Sequence, residues 1–206
     1  MALVLSEKVY SDDDFVEVDL GDQQLDGIEF TECDFSGAVL SGCATQRVTF
    51  TRCRFVGAEL YSSRHTNSSF LSCSFERTSW AGAELTGCRL VGSTFTACRL
   101  TGLQLRDCDL TLASFAGEKL AGIDLSGLRM RETNLTGANL RGCDLRRADL
   151  AGARTGRADL TDADLRGAVV DAGTWVGATL TGATIDVDQA VLYAAAHGLT
   201  LGRADD

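Results

Sequence analysis

Eight cysteines are the residues of this sequence with the most obvious capacity for chemistry. Thiolates bind zinc or oxidise to disulfides, so a cluster of them would indicate a metal site or a covalent framework. All eight are separated by multiples of five residues, and no two form a Cys-x-x-Cys pair. That spacing predicts small, buried packing residues instead, at Cys33, Cys43, Cys53, Cys73, Cys88, Cys98, Cys108 and Cys143.

The two histidines offer little scope for acid and base catalysis. His65 occupies a position that is otherwise apolar, and both a structural role beside Thr45 and a functional site are open interpretations. His197 lies near the end of a predicted C-terminal helix, where a cation is favoured. The sequence contains no nucleophile elbow, phosphate-binding loop or metal-ligand cluster. We therefore predict that the protein is not an enzyme and has no catalytic residues, cofactor or metal site.

Acidic residues are the remaining group with functional potential. The formal net charge of -10 disfavours direct binding to nucleic acid or to an anionic membrane, because both associations require basic residues, and it indicates a basic partner surface. The charge is uneven, since 11 acids and one base lie between Glu7 and Asp34, which makes the N-terminal end acidic.

A second acidic feature recurs every 20 residues, and we call it the acidic column: Glu84, Gln104, Asp124, Asp144 and Asp164. Stacked at the roughly 4.8 Å spacing of neighbouring strands, it would resemble a row of phosphates. Arginines follow two residues later, so an ordinary mixed-charge surface is the alternative interpretation. The predicted partner-binding residues are the four acids Glu84, Asp124, Asp144 and Asp164, and the arginines that could neutralise them are Arg106, Arg146 and Arg166.

A strict five-residue frame must position these groups. Of the 35 residues whose numbers are divisible by five from Phe15 to Ile185, 32 are apolar. We call this the central position. A period of five matches neither a helix nor a flat strand, so the chain must turn after every five residues.

Two other positions of the five-residue frame show residue preferences, and each preference has its own physical cause. Two residues before the central position lies Ala or Cys in 20 of the 35 repeats, which predicts a second, smaller inward position. Two residues after it lie 17 of the 22 glycines, as expected for a turn corner with positive φ. We call the position two residues before the central one the minor inward position, and the position two residues after it the corner position. Glu118 is an unusual carboxylate at the minor inward position, and we expect either a bulge there or a hydrogen-bonding partner.

Runs such as Ala138-Asn139-Leu140 and Ala163-Asp164-Leu165 complete the pattern A(D/N)LxG, which resembles the signature of the pentapeptide-repeat family. This resemblance implies an all-β solenoid, a right-handed quadrilateral parallel β-helix with four repeats per coil, so that residues 20 apart stack. About nine coils at the strand spacing of roughly 4.8 Å would form a rod of about 40 Å.

Within the family, the segments 160–168 and 185–199 are similar to the mycobacterial fluoroquinolone-resistance proteins of the MfpA type. That similarity implies a cytoplasmic, dimeric rod that imitates duplex DNA, binds DNA gyrase, a type II topoisomerase, and lowers both its supercoiling and its exposure to fluoroquinolones. Relatives of the plasmid-borne Qnr type carry projecting loops, whose absence the unbroken frame predicts. A general protein-interaction scaffold, for example for a small GTPase or an assembly factor, is the alternative function.

The end of the chain leaves the frame and predicts a short α-helix after Ile185, with Asp186 or Asp188 as N-cap and Gly198 as the stop. We place the solenoid at 1–186, with residues 1–14 roughly as an N-terminal cap, and the helix and tail at 187–206. The helix could simply cap its own rod, or it could join two rods in a symmetric dimer. The dimer interpretation predicts the apolar interface Val191, Leu192, Ala195, Leu199 and Leu201.

The sequence also bounds the cellular location. No stretch approaches the roughly 20 apolar residues needed to span a bilayer. The segment Met1–Asp14 carries acids instead of the basic region that begins a secretory signal. We therefore expect a cytoplasmic protein.

Overall fold

The structure, a computed structural model, describes residues 5–200 and residue 202. The chain forms a parallel β-solenoid in which each side of a coil contributes one three-residue strand or a single bridging residue. The predicted fold is confirmed. The strands are β1 Val9–Ser11, β2 Gln24–Asp26, β3 Glu29–Thr31, β4 Ala44–Gln46, β5 Thr49–Thr51, β6 Arg54–Val56, β7 Arg64–Thr66, β8 Ser69–Leu71, β9 Ser74–Glu76, β10 Glu84–Thr86, β11 Thr94–Thr96 and β12 Gln104–Arg106.

Three parallel sheets and one column of single bridges form the four sides of the rod. The sheets have the strand orders β1-β3-β5-β8, β2-β4-β7-β10-β12 and β6-β9-β11. Every registered pair joins residues 20 apart, as in Val9↔Glu29 and Gln24↔Ala44. Beyond β8, single bridges continue the first sheet as far as Asp149↔Val169, so this side has nine stacked levels.

Aromatic side chains stack along the interior of the N-terminal half. On one side, neighbouring Phe rings from Phe15 to Phe115 lie 4.4–5.0 Å apart between centroids. Tyr10, Phe30, Phe50 and Phe70 form a second stack on the adjoining side. Rings of the two stacks meet edge to face, an arrangement that adds to simple area burial. Stacking across coils therefore buries apolar surface that a single coil would leave exposed.

Corner positions hold the backbone in the left-handed region, as the sequence predicts. All 17 glycines at this position have positive φ, for example Gly57 at 67°. Seventeen other residues adopt the same conformation, among them Arg47 at 53° and Asn67 at 48°. Fifteen of these seventeen are polar or charged, and the exceptions are Ala97 and Leu112, so the fold holds positive φ at a corner even where the residue is not glycine.

Among residues 9–149, the hydrogen-bond ladder to the next coil is interrupted at one place, between residues 97–107 and residues 116–127. Among the described residues, no bridge joins Arg99 to Lys119 or Gln104 to Asp124, although the equivalent pairs above and below are bridged. Glu118 lies at this interruption with 4% exposure, and its carboxylate Oε2 accepts a hydrogen bond from the Cys98 N–H at 3.2 Å. The expectation that Glu118 finds a hydrogen-bonding partner is confirmed.

The C-terminal end contains two helices, α1 Ala172–Trp175 and α2 Val187–Ala196. α2 is the predicted helix, and its N-cap is Asp186. α1 was not predicted: it replaces one corner of the solenoid without shifting the frame, because Asp159 still bridges Thr179. Over the described ranges, neither helix has the length or the apolar character that crossing a membrane requires.

α2 is tied to the last complete coil by polar contacts. The Gln189 side chain, 3% exposed, donates from Nε2 to the carbonyl oxygens of Leu165 and Ala168 at 2.7 and 2.8 Å. Asp186 accepts from the Gly167 N–H at 2.9 Å and so replaces the carbonyl that a further coil would supply. These contacts satisfy backbone groups that the end of a parallel ladder would otherwise leave without partners.

Candidate partner-binding surface

The acidic column lies on the side of the rod that carries β2, β4, β7, β10 and β12. Glu84 and Gln104 are paired in register, and Asp124, Asp144 and Asp164 are joined by successive bridges. The interruption of the ladder separates Gln104 from Asp124. The structure therefore brings the predicted residues onto one side, in two groups.

Arginines neutralise the upper part of the acidic column. Arg146 forms a bidentate pair with Asp144, with its Nε 2.9 Å from Oδ1, and its Nε also lies 3.9 Å from Asp164 Oδ2. Arg166 makes the same pair with Asp164, 2.5 Å between its terminal nitrogen and Oδ2. The Arg166 hydrogen bond holds the pKa of Asp164 at about 2, and that from Arg146 lowers the pKa of Asp144.

Glu84 and Asp124 are the column carboxylates that form no ion pair with any described residue. Asp124 accepts a hydrogen bond from the Ser126 N–H at 2.9 Å, and Arg106 donates to Gln104 at 3.2 Å. The four predicted acids and the three arginines that follow the column have a combined formal charge of 3 - 4 = -1, and Arg64 is paired in register with Glu84 one coil below. Of the four predicted acids, Glu84 and Asp124 are therefore the ones whose negative charge is most available to a partner.

The N-terminal segment from Glu7 to Asp34 carries a dense group of acids without ion pairs to any described residue. Three acids of the N-terminal segment have arginine partners one coil away: Asp26 with Arg47, Glu32 with Arg52 and Asp34 with Arg54. Eight others are exposed and form no ion pair within the described part of the chain. They are Glu7 and seven acids that we call the acidic collar: Asp12, Asp13, Asp14, Glu17, Asp19, Asp22 and Glu29. The sequence predicted that this end of the chain is acidic, but we had not predicted a binding site there.

The cysteines all lie at the minor inward position, and seven of the eight are fully buried. Their thiols donate to backbone carbonyls of the preceding coil, as Cys73 does to Phe50 at 3.4 Å and Cys143 to Leu120 at 3.0 Å. Burial raises the pKa of Cys33 to about 11 and that of Cys43 to about 12. Within residues 5–200, no cluster of His, Cys, Asp or Glu is arranged to hold a metal ion.

His65 lies in a closed polar network inside the rod, and the structure supports its structural role. Ser63 Oγ donates to the Leu60 carbonyl at 2.6 Å, so it must accept from His65 Nε2, 2.9 Å away. His65 Nδ1 lies 2.8 Å from Thr45 Oγ1, which donates to Ser68 Oγ at 3.0 Å. Burial lowers the pKa of the imidazole to about 3, so it is neutral.

The predicted interface residues on α2 and just after it are exposed where they are described. Val191 is 45% exposed, Leu192 40% and Leu199 62%, and Ala195 is also exposed; Leu201 lies outside the described residues. Beside them the last coil is incompletely covered. A cavity of about 170 Å³ is bounded by Trp175, Leu180, Ala183, Ile185 and Tyr193. The apolar end of the rod is therefore available to a further chain.

Comparison with known proteins agrees with this architecture. A family model described as pentapeptide repeats matches residues 14–52, 28–64, 73–111, 108–147 and 143–184. Solved structures of QnrB1, described as a plasmid-mediated fluoroquinolone resistance protein, are similar in fold. Two trypsin-treated variants are 22% identical with TM-scores of 0.80 and 0.81, each over 94% of this chain and 97% of QnrB1.

The full-length QnrB1 structure is 23% identical with a TM-score of 0.77, over 93% of this chain and 100% of that one. Comparison with curated protein sequences gives no significant match. The family model covers well over half of the chain, and its matches follow the frame that builds the coils. The chain belongs to the pentapeptide-repeat family.

Proposed function

We propose that this protein binds DNA gyrase in place of duplex DNA, inhibits supercoiling and reduces susceptibility to fluoroquinolones. The observation that carries the proposal is the concentration of unpaired carboxylates on a stiff rod of duplex-like width. Backbone sides of at most about 16 Å, widened by outward side chains, give a width somewhat above 20 Å. The fold likeness to a fluoroquinolone resistance protein adds support at the level of architecture.

Two surfaces would provide the electrostatic attraction. The acidic column would contribute mainly Glu84 and Asp124, because Asp144 and Asp164 already interact with arginines of the same side. The acidic collar would contribute the larger charge at the other end of the rod. A basic protein surface that normally contacts phosphates would be attracted to both.

The protein would act as a homodimer joined through α2. A second copy is the partner that best suits the apolar end, because a two-fold axis lets the same exposed side chains cover each other. Joining two rods end to end would extend the surface to roughly 80 Å or more. The rod would remain in the cytoplasm and bind neither nucleic acid nor membrane directly.

A supercoiling assay tests this proposal. Purified protein is added to gyrase and relaxed plasmid, with a parallel series containing competing linear duplex. We expect inhibition that excess duplex relieves and that weakens steeply with salt, since exposed charges are screened beyond about 8 Å at physiological ionic strength. The same assay is repeated with Asp124→Ala, Asp144→Ala and Asp164→Ala combined, and with Asp12→Asn, Asp13→Asn and Asp14→Asn combined.

The matched control removes the same number of charges from corners elsewhere on the rod, at Asp107, Glu132 and Asp162. We expect the column and collar variants to lose at least tenfold in inhibitory potency, and the control to retain it. Unchanged supercoiling at any concentration of the parent protein would contradict the proposal. Equal loss in all three variants would show that net charge alone is responsible.

The alternative is an interaction scaffold that does not imitate DNA. The specific observation in its favour is the pairing of Asp144 with Arg146 and of Asp164 with Arg166, which makes that side resemble an ordinary mixed-charge surface. Salt distinguishes the two functions. Binding by an apolar scaffold contact persists at high salt, whereas binding by a DNA mimic does not.

A further inference from the structure

The interruption of the ladder opens a cleft in the rod, which we call the inter-coil cleft. Its volume is about 360 Å³, within the usual range of ligand pockets and enough for on the order of ten waters. It lies between the lower coil at Gly102–Arg106 and the upper coil at Ala121–Asp124. On the two opposite sides the same coils remain joined, by Phe95 N–H to Ser114 O at 2.9 Å and Leu110 N–H to Arg129 O at 2.7 Å.

Backbone N–H groups on both edges of the cleft lack the hydrogen bonds that elsewhere join one coil to the next. In the regular part of the rod, Leu140, Gly142 and Leu145 donate to the coil above at 2.8–2.9 Å. Their equivalents 40 residues earlier, Leu100, Gly102 and Leu105, have no acceptor among the described residues. On the upper edge, the N–H groups of Lys119 and Asp124 likewise lack one within the described chain.

Oversized side chains at the minor inward position explain the opening. Leu103 and Ile123 stack directly above one another in a column that holds small residues from Cys43 to Ala83 and from Cys143 to Ala183. Glu118 adds a third large side chain at the minor inward position of the preceding repeat. Overpacking of this kind favours separation of the two backbones. A smaller pair or a single large residue is accommodated, because Thr49 N–H donates to Ile28 O at 2.9 Å below Val48, and Asp149 N–H donates to Leu128 O at 2.9 Å.

The cleft combines three chemical features. Its floor is apolar, formed by the inward side chains of Leu103, Leu105 and Ile123, which are 7–8% exposed. Its edges offer unpaired backbone donors. Its outer margin carries Asp124, one of the two column acids without an ion pair, and Arg106 of the lower coil, which donates to Gln104 at 3.2 Å. An extended peptide matches all three, because it presents backbone acceptors on its edge and side chains on alternating faces.

We propose that the inter-coil cleft receives an extended segment of the partner protein. The segment would pair its backbone with the Leu105 and Asp124 edges, direct an apolar side chain toward Leu103 and Ile123, and place a basic side chain beside Asp124. This proposal rests on the proposed function, since gyrase is the partner used to test it. It locates a contact that depends on backbone pairing and not on imitation of phosphate.

Amide hydrogen exchange measures the cleft directly. In the protein alone, we expect Leu100, Gly102 and Leu105 to exchange at least 100-fold faster than the matched amides of Leu140, Gly142 and Leu145. In the complex with gyrase, the Leu105 and Asp124 amides should slow at least tenfold while the matched amides are unchanged. A complex that forms with no change at Leu105 and Asp124 would overturn the proposal.

Two kinds of variant test the cleft by affinity. Leu103→Ala combined with Ile123→Ala restores the small residues of the rest of that column and should close the cleft, which exchange at Leu105 would show. Ala121→Trp leaves the ladder unaltered and obstructs the entrance. We expect each to weaken gyrase binding at least tenfold. The controls are Leu128→Ala, an oversized residue outside the cleft, and Ala81→Trp, the equivalent surface position two coils below, and both should bind normally.

The outcomes separate the two proposals. If the parent binds gyrase and Ala121→Trp binds equally well, the cleft proposal is overturned and the proposed function stands. If Leu103→Ala with Ile123→Ala fails to fold, Ala121→Trp and the exchange experiment still decide. If the parent does not bind gyrase at all, both proposals fail together.

Discussion

At the scale of single residues, the polar groups inside the rod connect adjacent coils. Cys, Ser and Thr at the minor inward position donate to carbonyls of the coil below, as Ser93 does to Phe70 at 2.8 Å. The same side chains also accept from backbone N–H groups, as Ser68 does from Val48 at 3.2 Å. Small size alone does not explain these residue types, because Ala would fill the space without making either bond. The preference for Cys therefore combines packing with satisfaction of the backbone.

His65 makes the rod sensitive to acid. The imidazole has an ordinary pKa of 6.5 when unfolded, and burial lowers its pKa to about 3 in the fold. The unfolded chain therefore binds a proton that the folded chain does not between those values, and stability is lost as pH falls from 6.5 toward 3. Denaturant unfolding at pH 7 and pH 5 should show a loss of roughly 2 kcal/mol from this group, at about 1.4 kcal/mol per pH unit.

The matched variants for this prediction are His65→Leu, which restores the residue type of Leu25 and Leu85 on the same side, and His197→Gln at the exposed histidine. His65→Leu should abolish most of the difference between the two pH values, although it leaves Ser63 and Thr45 short of one partner each. His197→Gln should preserve the difference. An identical pH dependence in the parent and His65→Leu would contradict the assignment.

At the scale of elements, the two helices have similar attachments. Each begins with a capping box, with Asp171 and Thr174 in α1 and Asp186 and Gln189 in α2. Each N-cap aspartate also accepts from a corner glycine one coil below, Gly152 for Asp171 at 2.7 Å. An aspartate therefore replaces a ladder carbonyl wherever the solenoid changes to helix.

Gln189→Ala should loosen α2 from the end of the rod. The substitution leaves the Ala168 carbonyl without a donor among the described residues, whereas the Leu165 carbonyl still accepts from the Ala168 N–H at 2.9 Å. An unpaired buried acceptor costs about 1–3 kcal/mol. We expect lower stability in urea unfolding and faster proteolysis near residue 190. Val187→Ala, at a position 80% exposed on the same helix, is the control and should change neither. Equal stability of both variants would show that apolar packing alone holds α2.

At the scale of the whole molecule, charge limits how closely the rod imitates a duplex. A duplex of roughly 40 Å carries on the order of 24 phosphate charges, from one per ~1.7 Å, whereas this chain has a net charge of -10. Much of that charge lies in the acidic collar, and the acidic column is largely neutralised above Asp124. A gyrase contact would therefore depend on local acids and shape more than on a continuous row of charge.

The predicted dimer is testable by mass. Sedimentation should give about twice the 21.9 kDa of the single chain. Leu192→Arg places a charge in the predicted interface and should produce a monomer, while Tyr61→Arg, at another exposed apolar residue far from α2, should leave the dimer intact. A parent protein that sediments as a monomer would contradict the prediction and would leave α2 as a simple cap.

The sequence by itself determined the solenoid, its interior and its corners, because the direction of each side chain depends only on its place in the five-residue frame. It also located the acidic end. Only the tertiary structure decided which charges remain available, since Arg47 neutralises Asp26 across one coil and Arg146 lies near Asp164 through the same stacking. The inter-coil cleft arises in the same way: Leu103 and Ile123 are unremarkable in sequence and interact only because the coils place residues 20 apart in contact.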